Sequence, residues 1–206
     1  MNWLPEIPEG VTALLTVEAE GICAKIRLLL KEAGEWREIL STEGFVGKNG
    51  VTDCKREGDG CTPAGLFPLD TAFGTAEDPG SLFPYRKLTE DDYWVDDPES
   101  PFYNQFVTFS GREKPWRSAE HLIEETTAYR YVLNICCNPG RIPGKGSAVF
   151  LHCSTGGATA GCVSVPEDVM RVLLRKLGQG SRSFSAKKGW GEALSLLAFY
   201  RCSQEE

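Results

Sequence analysis

With 206 residues, 41% of them hydrophobic, the chain can bury one sizeable core, and it holds no polar tract that reads as a linker, so a single domain over residues 1–206 is expected. Acidic residues outnumber basic ones by 29 to 22, leaving a net charge of -7, which argues against nucleic acid as a partner. The longest apolar runs, Leu28-Leu29-Leu30 and Ala193 to Tyr200, fall short of the roughly 20 residues a membrane span requires, so no transmembrane segment is expected. The first ten residues carry Pro5, Pro8 and glutamates where a secretory signal would be basic and then apolar, so no leader is read there.

In chain order, Val11 to Val17, Ile22 to Leu30 and Trp36 to Phe45 are rich in β-branched, aromatic and leucine residues and are separated by Glu20-Gly21 and Ala33-Gly34. They predict three strands in an antiparallel meander. From Gly47 to Gly65 repeated glycines break any period and predict a loop, followed by a short strand over Gly65-Leu66-Phe67-Pro68-Leu69. Residues 76 to 118 mix five prolines with Phe83, Tyr85, Tyr93, Trp94, Phe102, Tyr103 and Phe106, which suits an irregular but ordered insertion better than a disordered linker. Ser118 to Leu122 reads as the start of a short helix, and Tyr129 to Cys137 and Ser147 to His152 as two buried strands. Ser164 and Glu167 fit a capping box for a helix over Val165 to Leu177, stopped by Gly178. Ala193 to Tyr200 predicts a last core strand.

Two residues concentrate the chemistry. Cys162 lies ten positions after His152, across the glycine-rich stretch Ser154-Thr155-Gly156-Gly157-Ala158-Thr159-Ala160-Gly161, and the chain has one other histidine, His121. A thiol near roughly pKa 8.5 is only a few per cent ionised at neutral pH, so a nucleophilic cysteine needs a neighbour such as His152 to take its proton or hold its thiolate. His121 has no nucleophile or turn motif beside it and reads as a structural histidine. A zinc site is not expected, since His152-Cys153 and Cys162 offer no fourth ligand and no paired spacing. Of the eight cysteines, Cys54 and Cys61 flank the turn Gly58-Asp59-Gly60 and could close a small loop, but spacing leaves their pairing open. Asp59 reads as a turn residue, and the insertion's aromatics as packing.

Thr159-Ala160-Gly161-Cys162, with His152 upstream, resembles the signature of the L,D-transpeptidase catalytic domain family (YkuD-like, ErfK-type). Arg56-Glu57-Gly58-Asp59-Gly60-Cys61-Thr62-Pro63-Ala64-Gly65-Leu66-Phe67 is similar to another stretch of that family, and Lys145 to His152 to its strand entering the histidine. The motif-bearing part covers about residues 45 to 175, and Trp94 to Ser100 with Tyr103-Asn104 resembles a subgroup carrying an aromatic insertion. Two departures stand out: the histidine-to-cysteine loop is shorter than in better-known members, and Val163 is followed by Ser164 where Arg or Asn is usual.

The resemblance implies a mostly β, L,D-transpeptidase-like β-sandwich with a few short helices, working without metal or organic cofactor on peptidoglycan stem peptides at the cell envelope. It implies that Cys162 is the nucleophile and His152 the general base and acid. Gly161 is the implied backbone oxyanion donor, and the carbonyl of Cys153 orients the imidazole. Arg56, Tyr103, Asn104 and Thr159 are substrate-binding candidates. The thioester formed from a stem peptide would pass to an amine, in cell-wall cross-linking or D-amino-acid exchange, and carbapenems would acylate the same thiol. An L,D-carboxypeptidase, with water as acceptor, and a non-catalytic wall-binding module are the alternatives.

Overall fold

A computed structural model of the chain describes residue 7, residues 10–178 and the backbone of residues 195–201. The expected meander is present as β1 (Ala13–Glu20), β2 (Cys23–Glu32) and β3 (Glu35–Phe45), paired antiparallel along their lengths. Ala33 and Gly34, at φ of 50° and 88°, close the tight turn between β2 and β3, where left-handed backbone matches the twist of a hairpin. The glycine-rich loop holds a small parallel pair, β4 (Val51–Thr52) with β5 (Thr62–Pro63), and leads into β6 (Leu66–Gly74) and β7 (Tyr85–Lys87).

The insertion is more regular than its prolines suggest. β8 (Asp92–Val95), β9 (Gln105–Thr108) and β10 (Glu120–His121) form a three-stranded antiparallel sheet. Its anchor is Asp92, a buried carboxylate that accepts from Arg86 at 2.8 Å and from the hydroxyls of Thr89 and Thr108. Burial alone would raise that carboxyl, but these donors together with the Thr89 N–H hold it below the ordinary value. The helix expected from Ser118 is replaced by β10, because Glu120 and His121 pair with Trp94 and Tyr93; a single 3₁₀ turn, Leu122–Glu124, follows.

The remaining elements are a second 3₁₀ turn, Ala128–Arg130, then β11 (Val132–Ile135), β12 (Phe150–Cys153), β13 (Val163–Val165), α1 (Glu167–Lys176) and β14 (Ser195–Arg201). Ala193 and Leu194 of the expected last strand lie outside the described residues. The main sheet runs β11-β12-β13-β3-β2-β1-β14-β6-β7, and a further pairing of β11 with β6 closes it on itself. The result is a mostly β, sandwich-like ring with two distinct sides.

Alternation along the strands fills both sides. Leu151 and Cys153 of β12 and Val163 and Val165 of β13 join Leu15, Val17, Ile26, Leu28 and Leu133 in the main core, which the α1 residues Met170, Leu173 and Leu174 complete. Phe150 of β12 instead joins Phe73, Trp94, Tyr129 and Cys162 in a second cluster, where the insertion sheet packs on the ring. Phe150 meets Trp94 at 4.9 Å and Phe73 at 5.4 Å between ring centroids, both edge to face.

The capping box does not form. Ser164 is extended, in register with His152 on one side and Phe45 on the other, and α1 begins at Glu167 with Pro166 as its N-cap and no side-chain cap. Sheet pairing on both edges outweighs the local hydroxyl-to-amide bond. Glu167 and Asp168 in the first turn and Arg175 and Lys176 in the last suit the helix dipole without it.

Candidate active site

Strand register puts His152 and Cys162 on the same face of neighbouring strands, with no hydrogen bond between them. In the parallel pair β12–β13, Leu151 faces Val163 and His152 faces Ser164, which places Cys162, one residue before Val163, beside Phe150. Since side chains alternate between faces, Phe150, His152 and Cys162 all project to the side covered by the insertion sheet. The Phe150 N–H donates to Cys162 Sγ at 3.3 Å, and the thiol donates to the Ala148 carbonyl at 3.4 Å. His152 Nδ1 donates to the Cys153 carbonyl at 2.8 Å, which leaves Nε2 as the basic nitrogen of the neutral ring. The edge of the imidazole meets the Tyr129 ring at 5.7 Å.

Burial works against charge on both groups. Each is only 7% exposed. Burial, and then the negative charge of Glu120, push the Cys162 thiol well above its ordinary value, with the Phe150 N–H opposing them. Burial likewise lowers the pKa of His152, against the bond to Cys153. Both shifts favour a thiol and a neutral imidazole over a preformed thiolate–imidazolium pair.

The turn before Cys162 is held from inside. Gly161 adopts φ of 149°, and a Cβ there would lie 3.0 Å from the Cys61 carbonyl oxygen and 3.4 Å from Lys55 Nζ. Thr159 Oγ1 donates to the Cys162 carbonyl at 2.6 Å and accepts the Gly161 N–H at 3.1 Å. The Gly161 amide is thus engaged within the turn, and the Thr159 hydroxyl is a turn former. Thr62, which the sequence reading passes over, donates to the same Cys162 carbonyl at 3.0 Å while accepting the Gly47 N–H at 2.8 Å.

The other expected residues lie around this frame. The Tyr103 hydroxyl is bonded to Glu57, which also accepts from Ser147 at 2.8 Å, and Tyr103 is buried. Asn104 Oδ1 takes the Trp94 indole N–H at 3.0 Å and the Ala148 N–H at 3.3 Å, while its Nδ2 donates to the Asn138 carbonyl at 3.1 Å. Arg56 is exposed and makes no ion pair among the described residues. Asp59 accepts from Lys55 and from the N–H groups of Arg56 and Cys61, the turn role expected of it. Lys55 itself had no sequence signal apart from its place in the loop.

His121 is tied at both nitrogens, to Glu124 at 2.8 Å and to the Glu90 carbonyl at 2.8 Å, and it stacks on Tyr93 at 4.5 Å, so its role is structural. Cys54 is a free thiol, so it is not bridged to Cys61. A cleft of about 420 Å³ runs beside the site, sharing Phe73, Trp94 and Asn104 with it and continuing past Asp70, Asn134 and Arg141, but neither Cys162 nor His152 lines it. No helix among the described residues is long and apolar enough to cross a membrane.

The YkuD family, the L,D-transpeptidase catalytic domain, matches residues 27–183, more than half of the chain, and the chain belongs to that family. No curated protein and no solved structure matched it.

Proposed function

We propose that the chain is a peptidoglycan L,D-transpeptidase in which Cys162 carries the acyl group as a thioester. The observation that carries this reading is the Cys162 thiol held between the Phe150 N–H and the Ala148 carbonyl, on the same sheet face as a His152 whose Nδ1–H is fixed by Cys153. As a stem peptide reaches the site, the thiol proton passes to His152 Nε2 and sulfur attacks the carbonyl before the terminal D-amino acid. The S–C bond forms, the amide C–N bond breaks, and the leaving amine takes the proton from the imidazolium. An amine of a second stem peptide, or a free D-amino acid, then attacks the thioester. Its proton returns through His152 to the departing sulfur.

Because the Gly161 N–H is engaged by Thr159, the backbone amide of Cys162 is the first oxyanion donor, and Gly161 adds a second once that bond yields. One such donor is worth on the order of 3 kcal/mol in the barrier. Arg56 is the exposed cation for a substrate carboxylate. Tyr103, Asn104 and Thr159 act through the frame they hold. Carbapenems react with the same thiol by ring opening of the strained lactam.

Intact-mass analysis of wild type and Cys162→Ala with a disaccharide-tetrapeptide donor, with and without a D-amino acid, tests the reading. A Cys162-dependent acyl-enzyme and an exchange product support it; hydrolysis alone would make the protein an L,D-carboxypeptidase, and inertness of the wild type toward donor and carbapenem alike would leave a binding module.

A further inference from the structure

The site contains a carboxylate that the two acyl transfers above do not use. Glu120, in β10, is the cross-strand partner of Trp94, whose ring packs on Phe150 at 4.9 Å. Its Oε2 accepts the Tyr129 hydroxyl, and the Tyr129 ring lies 5.7 Å from both Phe150 and His152. Among the described residues no lysine, arginine or histidine pairs with Glu120, whereas Asp92 and Asp59 each hold a cation. The charged groups around it deepen the imbalance: Asp96, Glu125 and Glu57 all repel its charge, and Lys55, the lysine whose charge favours the Cys162 thiolate, is committed to Asp59. Its charge reaches Cys162, where it opposes the thiolate. A negative group that hinders the nucleophile of its own site is accounted for by a reactant that brings a positive charge.

Building on the transpeptidase reading, we propose that Glu120 is the acceptor-specificity residue, its carboxylate receiving the ammonium of the incoming primary amine beside Cys162. The ammonium gives one proton to Glu120, and the neutral amine attacks the thioester carbonyl. The N–C bond forms and the S–C bond breaks; the second proton passes through His152 to the Cys162 sulfur, and the third stays on the new amide. Glu120 then releases its proton to solvent. Water brings no positive charge for this carboxylate to bind, so Glu120 concentrates the amine at the thioester and biases it toward aminolysis. Tyr129 is a positioning residue that holds the carboxylate through its hydroxyl and packs on His152 through its ring.

The test starts from acyl-enzyme formed with the tetrapeptide donor and chased with increasing D-methionine, aminolysis and hydrolysis being followed separately by mass. Glu120→Gln is expected to lower the ratio of aminolysis to hydrolysis at least tenfold, by raising the amine concentration needed for half-maximal exchange. Tyr129→Phe is expected to lower it less. An unchanged ratio in Glu120→Gln would overturn the inference, as would an equal loss in Tyr129→Phe, which would make Glu120 merely a support for the tyrosine. A second measurement does not depend on turnover. In Cys162→Ala protein labelled at glutamate carboxyl carbons, D-methionine should shift the Glu120 titration to lower pH and N-acetyl-D-methionine should not. Absence of that shift would overturn the inference even if no donor acylates the enzyme, while failure of acylation with the shift present would count against the transpeptidase reading alone.

Discussion

Asn104 Oδ1 accepts the backbone N–H of Ala148 at 3.3 Å, and both residues adopt left-handed backbone, with φ of 53° and 50°. Asparagine tolerates that region better than most residues, and its carboxamide fixes a strand entry whose next amide-bearing positions cradle the thiol. The Ala148 carbonyl, on the same residue, takes the Cys162 thiol at 3.4 Å. Asn104→Ala removes the bonds to Trp94, Ala148 and Asn138 while keeping the φ strain. Each lost bond is worth about 1 kcal/mol, so a loss of about 2–4 kcal/mol in urea unfolding is expected. Asn104→Gly relieves the backbone but restores no bond. If the cradle acts through Asn104, both variants should lose Cys162 acylation by at least tenfold, although Gly unfolds later than Ala.

The burial of Cys162 and His152, which favours their uncharged forms, makes a prediction about reagents. Iodoacetamide, which needs only thiolate and access, should alkylate the exposed Cys23 and Cys54 faster than Cys162 at pH 7. The Cys162 rate should climb with pH without levelling off below pH 9, because burial and Glu120 raise its thiol. A carbapenem, which occupies the site as it reacts, should instead modify Cys162 alone. Peptide mapping after each treatment checks both halves, and a Cys162 that is the fastest thiol toward iodoacetamide at pH 6 would mean a preformed thiolate.

The meander over β1–β3 was legible because its three runs are rich in β-branched, aromatic and leucine residues and are broken at Glu20-Gly21 and Ala33-Gly34, and Cys162 and His152 stood out because their motif is local. What escaped reading lay in long-range pairing. The Ser164–Glu167 pattern is a sound helix start by itself, yet β12 and β3 claim Ser164 for the sheet. Glu120 has no motif of its own, and its link to the site depends on β10 pairing with Trp94 and on the hydroxyl of Tyr129, nine positions away. Asn104 could be singled out by its neighbours but not given its partners, since Ala148 and Asn138 lie more than 30 positions away.

Thr62 is the clearest case of a structural hydroxyl serving the site. It is fully buried and joins the Gly47 N–H to the Cys162 carbonyl. Thr62→Val keeps shape and volume but strands the buried Gly47 amide, at a cost of about 1–3 kcal/mol. Thr62→Ser keeps the hydroxyl and should recover most of that loss. Thermal unfolding of the two variants distinguishes the hydrogen bonds from packing: equal destabilisation of both would assign the effect to the lost methyl group.

Glu120 also sets a pH dependence of stability. Burial pushes its carboxyl from 4.5 up to about 7, against the Tyr129 hydrogen bond and with added repulsion from Asp96, Glu125 and Glu57. Between those two values the folded protein holds a proton that the unfolded chain has released, so the unfolded state binds fewer protons and stability must fall as pH rises. Glu120's contribution is fully present below about pH 4.5 and gone once pH has passed about 7, with a slope of at most about 1.4 kcal/mol per pH unit. Other carboxylates titrate in the lower part of that range, so the quantity to measure is the difference between wild type and Glu120→Gln in urea unfolding at each pH. That difference should move against the wild type from pH 5 to pH 7 and then stay level. Added D-methionine should flatten it by favouring the ionised carboxylate, whereas a difference independent of pH would mean that Glu120 titrates as an ordinary surface glutamate.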